Sequence, residues 1–413
     1  MSYYSRIVLC VLMVATLLAL PAFAELRVGA ASTAINPEKG TFLGGYGQNR
    51  QCTGVHDNLY AKAVVFDDGK LPVALVILDS VGTQYDTIQL VRERASELTK
   101  AVSIPPERII VCSTHTHCSP DNIGIYGPDQ MTSGRDPEYI RGMVEAAATQ
   151  VAKAAALLRP ATLSWAKARG GEWAVNDCEP GDLIEDLTII QCLDAKGTSI
   201  ATLTNFACHP TVLDGDTTEA SSDWVGAFYA SMADAMPGEH LFLQGGIGGW
   251  IQPETPERTF KLAKEYGDDL AQRSLAALKN DVPVKGTDIR FAHKVFNMPN
   301  ANEGFAQLSA MGIMPRGITD GIETEVAWFS VGTAQFATHP GETAPIFTRA
   351  TEALMDTEPK LVLGLGLDEL GYILKPGYFI DPKAIPHAEY LTATSPGPES
   401  GPSMMKALES IIP

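Results

Sequence analysis

The chain reads as a mixed α/β (α+β) protein, a single large domain built on a central mixed sheet with flanking helices. Short runs of aliphatic and β-branched residues alternate with longer helical patterns, as a sheet covered by helices requires. Several of the runs are apolar at consecutive positions, the mark of strands buried on both faces. No repeat, low-complexity tract or Gly/Ser linker divides the chain after its leader, so nothing marks a second tethered domain.

The leader comes first. Arg6 gives a short positive region, Ile7 to Leu20 is an apolar run shorter than the ~20 residues of a membrane span, and Ala22-Phe23-Ala24 has the A-x-A cleavage pattern. Residues 1–24 are therefore read as a signal peptide and 25–413 as a secreted or periplasmic domain with no stable membrane span. Strands are predicted at Tyr60 to Phe66, Val73 to Leu78, Arg108 to Ser113, Leu187 to Cys192, Ile200 to Phe206 and Leu241 to Leu243. Helices are predicted at Tyr85 to Ala101, Pro137 to Leu158, Asp223 to Ala235 and Pro256 to Leu278, where apolar residues recur at spacings of three and four. Val326 to Thr343, "VAWFSVGTAQFATHPGET", reads as one further apolar strand.

Composition narrows the function. A formal net charge of −18 disfavours nucleic acid and anionic membrane surfaces as partners. Cys10 leaves with the leader. Cys52, Cys112, Cys118, Cys178, Cys192 and Cys208 remain, an even number that predicts at least one disulfide in an exported chain without choosing the pairing. None has CxxC spacing, so a structural zinc knot is not expected.

Three apolar runs end in residues that bind metals. "VCSTHTHCSP" carries His115 and His117, "LTNFACHPT" carries His209, and the Val326 run ends in His339-Pro340-Gly341-Glu342. Strand ends are where sheets of this kind assemble sites. Positions i and i+2 of an extended chain share a face, so His115 and His117 can address one cavity. An H-x-H pair alone fits a metal site, an acid–base pair or hydrogen-bonded loop histidines. Joined by His209 and Glu342, it gives a His, His, Glu set suited to zinc. Asp223 reads as a helix cap. His56-Asp57 fits either a support for the site or a turn, and His240, His293 and His387 read as surface residues. "QGGIGGWIQP", Gln244 to Pro253, has neither GxGxxG nor a Walker lysine. Its glycines are expected to let the backbone approach zinc or substrate closely.

Together these segments resemble the neutral (non-lysosomal) ceramidase family. "RVGAASTAINP", "GGYGQ" and "TGVHDNLYAKAVVFDDG" are similar to its amino-terminal strands, "STHTHCSP" to its metal-binding segment, and "NFACHPT" to its second histidine. "SSDW", "HPGET" and "ELGYILKPGYF" follow in the family's order. The resemblance implies Zn2+ held by His115, His209, Glu342 and Tyr372. It also implies catalytic roles for His117, as donor to a developing oxyanion, and for Tyr390, matched to a later tyrosine of the family site. The chain departs from the family in three places. The serine of the family's "GDVSP" stretch is missing, Asn176-Asp177 stands where the family has "NR", and no carboxyl-terminal Ig-like domain is expected.

What the resemblance implies is a secreted zinc-dependent amide hydrolase acting on the N-acyl bond of ceramide or a related lipid or N-acyl amine. The alternatives are a non-catalytic zinc- or lipid-binding homologue, or a hydrolase of a non-sphingolipid amide or ester.

Overall fold

The computed structural model describes residues 25–413; the expected signal peptide at 1–24 lies outside them. A nine-stranded mixed sheet forms the centre. Its strands run in the order Glu239–Gln244, Ser199–Phe206, Asp186–Asp194, Arg159–Arg169, Arg27–Ala34, Tyr60–Asp67, Val73–Leu78 and Ile109–Ser113, with Val282–Pro283 added beside Arg159–Arg169. The two outermost pairs are parallel and the inner pairs antiparallel.

The two halves of the sheet join only where Arg27 and Val28 pair with Pro160 and Arg159. At this joint the sheet folds over, and Glu239–Gln244 at one end of the order packs against Ile109–Ser113 at the other. Val73–Leu78 and Ile109–Ser113 are buried along their whole length, which explains their unbroken apolar sequences. The helix Pro137–Ala156 covers one half, and Trp224–Ala235 and Phe260–Ala277 cover the other. Small residues on the inner strands, among them Ala30, Ala61, Ala63 and Ala201, permit this close stacking.

A second sheet of four strands, Ile289–Pro299, Gly321–Val331, Ala334–Thr338 and Lys360–Leu363, closes one side. The buried pair of Arg92 with Glu325 fastens it to the first: Arg92 Nη1 lies 2.7 Å from Glu325 Oε2, and Arg92 Nε donates to Ile109 O at 2.8 Å. Val326 to Thr343 is therefore not one strand. Gly332, at φ 55, turns the chain into a hairpin, because a Cβ there would sit 2.4 Å from Lys285 O.

Two other expectations change. All six cysteines of the described chain are free and buried, filling space as small apolar side chains. His240 is buried, with Nδ1 2.8 Å from Thr202 Oγ1. Asp223 caps the helix Trp224–Ala235 as expected, its carboxylate accepting from Trp224 N at 2.7 Å.

Candidate metal centre

The folded-over sheet brings the carboxyl ends of Ile109–Ser113, Ser199–Phe206 and Glu239–Gln244 to one place. Gln244 joins them. Its Nε2 donates to Thr114 O at 3.0 Å and to Cys208 O at 2.9 Å, while its Oε1 accepts from Cys208 N at 3.2 Å and Gly245 N at 3.1 Å. One fully buried amide thus fixes the backbones immediately before His115 and His209.

His115, His117 and His209 place their ligand nitrogens within 4.8 Å of one another, a grouping able to hold a metal ion. The extended-chain argument does not explain this, because His115 sits at φ 71 in the left-handed region. The turn swings its ring towards His117, with the two Nε2 atoms 3.2 Å apart. His117 is placed from below by the "GGYGQ" segment. A Cβ at Gly45, φ 99, would meet the His117 ring at 2.3 Å, the Tyr46 ring stands edge-on at 4.9 Å, and the buried Arg50 guanidinium donates to His117 O.

Glu342 and Tyr372 arrive together. Glu342–Thr343 and Tyr372–Ile373 form a short parallel bridge in which the two residues are direct partners, and the Tyr372 hydroxyl donates to the Glu342 carboxylate. Glu342 Oε2 lies 2.9 Å from His209 Nε2 and 3.6 Å from His115 Nε2. Two glycines of "QGGIGG" approach this strand closely: a Cβ on Gly248 would sit 2.4 Å from Glu342 O and one on Gly246 3.1 Å from Thr343 O, whereas Gly245 packs on Ala207 and Gly249 on Asn176.

Hydrogen bonding tests whether these groups suit a cation. His115 Nδ1 faces Val81 O, and His209 Nδ1 faces Ile251 O at 2.5 Å. A carbonyl only accepts, so each Nδ1 carries a proton and each ring turns its Nε2 inward. Burial pushes the His115 ring down to about 4, so it stays neutral. His209 Nε2 faces a Glu342 carboxylate oxygen at 2.9 Å. Such a pair needs a cation or a second proton between them. Metal-binding histidines show this same arrangement, with the second nitrogen donated to a carbonyl. His117 differs, since its buried Nδ1 has no partner among the described residues.

Burial alone would raise the Glu342 carboxyl. The His115 and His209 rings and the Tyr372 hydroxyl outweigh it and hold the group below the usual carboxylate range. Tyr372 moves the other way, raised by burial and by the Glu342 charge. Tyr390 is half exposed, stacked on Trp250 at 5.6 Å, with its ring 6.4 Å from that of Tyr372.

A cavity of about 200 Å³ opens beside the centre. Ile123, Phe305, Leu308, Met314, Ile318 and Ile322 give it an apolar wall, and His115, Glu342, Tyr372 and Tyr390 line its polar end. Further residues of the site were given no role from the sequence: Gln244, Arg50, His339 and Glu369. His339 is buried and braces the Glu342 turn through Thr343 Oγ1 at 2.8 Å and Thr351 Oγ1 at 2.9 Å. Asp57, left open between two readings, holds the Ser221–Ser222 turn through Ser221 Oγ and Ser222 N.

Two solved structures share this architecture. One is the neutral ceramidase from Pseudomonas aeruginosa, at 14% identity and a TM-score of 0.77, covering 94% of this chain and 74% of that one. The other is described as a ceramidase complexed with C2, at 15% identity and a TM-score of 0.77, covering 94% of this chain and 75% of that one. The chain has a neutral ceramidase-like fold. No protein-family model matches it, and no curated protein matches it in sequence. The ceramidase-like fold rests on backbone architecture carried by a largely different set of side chains. Among the described residues no helix is long and apolar enough to cross a membrane.

Proposed function

We propose that this protein is a zinc-dependent hydrolase of the N-acyl bond of ceramide or a related N-acyl lipid, exported by its residue 1–24 leader. One observation carries the reading: His115 Nε2, His209 Nε2 and Glu342 Oε2 converge beside the polar end of an apolar cavity.

In this reading His115, His209, Glu342 and Tyr372 hold the zinc. Zinc at such a site supplies Lewis acidity to a carbonyl and lowers the pKa of a coordinated water towards ~7. The apolar wall takes the acyl chain and sets its carbonyl at the polar end. His117 is neutral, its basicity lowered by burial and by the His115 and His209 rings. With Nδ1 unpartnered and Nε2 3.2 Å from His115 Nε2, His117 stands beside the proposed zinc, where a donor would act on developing oxyanion charge. Tyr390 keeps its proton at neutral pH, because burial and the Glu342 charge raise it. Its hydroxyl is the donor available to the leaving amine at the cavity mouth. The family serine has no counterpart here, and Gln244, with every polar atom engaged by backbone, does not replace it.

Metal analysis tests the ligand set. Purified protein should carry one zinc per chain, and His115→Ala and Glu342→Ala should each abolish it; unchanged metal content in either variant refutes the assignment.

A further inference from the structure

One polar atom of the cavity has no structural employment. Glu369 is 4% exposed and lines the cavity beside Glu342 and Tyr372. Its Oε1 accepts from Gly371 N at 2.9 Å, whereas its Oε2 is buried without a partner among the described residues. Native interiors rarely leave a carboxyl oxygen unpaired, and where they do a missing ligand is one of the usual reasons.

The surroundings are built for this side chain. A Cβ at Gly82 would lie 2.4 Å from Glu369 Cγ, so the loop that offers Val81 O to His115 also makes room for Glu369. Neighbouring polar groups are turned to other partners. Arg316 donates to Asp368 Oδ1 at 2.6 Å and to Glu323 O. Asn302 donates to Ala393 O at 2.8 Å and Ser395 O at 2.9 Å and accepts from Gly304 N and Phe305 N. Neither donates to Glu369 Oε2, which stays without a partner among the described residues.

We propose that Glu369 is a specificity-determining residue whose free Oε2 hydrogen-bonds a hydroxyl group on the amine side of the substrate. This rests on the N-acyl hydrolase reading, which it deepens to amides of amino alcohols. A hydroxyl donates to a carboxylate and accepts from a carboxylic acid, so it suits the atom in either protonation state.

The test uses three soluble amides of one acyl chain: N-hexanoyl-2-aminoethanol, its isostere N-hexanoyl-propylamine, and N-hexanoyl-ethylenediamine. Binding is measured by calorimetry on chelator-stripped protein, so the result does not depend on turnover. The amino-alcohol amide should bind roughly 10- to 100-fold more tightly than the propylamide, the range for one hydrogen bond to a carboxyl group. Glu369→Leu should erase that ratio by weakening only the hydroxylated ligand, and Glu369→Gln, which still donates and accepts, should keep most of it. Thermal midpoints of both variants confirm folding.

Equal binding of the two amides by the wild type, or binding of neither, overturns the proposal. So does a ratio that survives Glu369→Leu, or tighter binding of the diamine than of the amino alcohol. Failure of the hydrolase reading looks different: the binding ratio stands, but zinc-loaded protein releases no hexanoate.

Discussion

Glu342 and Tyr372 face each other across a two-residue parallel bridge, and the tyrosine hydroxyl donates to the glutamate carboxylate. The bridge joins the turn after one strand of the second sheet to a segment 30 positions further along, so neither residue reaches the histidines without the other's backbone. Tyr372→Phe should leave the fold intact and weaken zinc binding by roughly 10- to 100-fold, the usual effect of losing a partner that ligates or orients a ligand. Competition with a chelator of known affinity measures this. An unchanged zinc affinity would show that Tyr372 neither binds the metal nor orients Glu342.

His117 is predicted to separate from its neighbours. It stands beside them but lacks the Nδ1–carbonyl contact that His115 and His209 have. His117→Ala should retain zinc and lose about 10²- to 10³-fold in kcat, as expected for an oxyanion donor. Loss of zinc from this variant would make His117 a ligand.

Gln244 is a structural prediction with a functional readout. Gln244→Leu strips hydrogen bonds from Thr114 O, Cys208 O and Cys208 N, all buried beside the site. Orphaning such groups costs on the order of 3 kcal/mol or more in total. Denaturant unfolding should show that loss, and zinc affinity should fall with it because both histidine loops are released. Stability lost without any change in zinc affinity would confine Gln244 to the fold.

Asp79 gives the chain a pH dependence away from the centre. Burial raises its carboxyl to about 6, against the opposing effects of Lys62 and the bonds from Tyr60 N and Ser222 Oγ. The folded state therefore binds this proton more tightly than the unfolded chain does. The associated stability, about 3 kcal/mol for a shift of about two units, is fully present below the unfolded pKa near 4 and is lost as pH rises through 6. Asp79→Asn should flatten the fall in thermal midpoint between pH 4 and pH 7. An identical slope in the variant would assign the dependence elsewhere, Asp223 being the other buried carboxyl raised to about 6.

Much of this was legible in the sequence, for reasons that can be named. Strands such as Val73–Leu78 and Ile109–Ser113 are buried on both faces, so their composition alone marks them. His115, His209 and Glu342 stand out because rare side chains end apolar runs. Ile289–Pro299 went unnoticed because it is largely exposed and carries no continuous apolar signal. The turn at Gly332 was hidden because both arms of its hairpin are buried and apolar, and a single glycine is a faint break. Gln244 and Glu369 act through contacts made only after the sheet folds over and the cavity closes, and nothing local in either residue announces that. His115 and His117 converge through a left-handed turn, which no spacing rule encodes.

The most direct test of the central claim is fatty-acid release from ceramide and shorter N-acyl amides by chelator-stripped protein, before and after zinc is restored. The account predicts no release from the stripped protein and recovery in proportion to zinc bound, up to one per chain. Full zinc occupancy with no release from any amide would contradict it, and would leave a zinc-holding protein that binds such lipids without cleaving them.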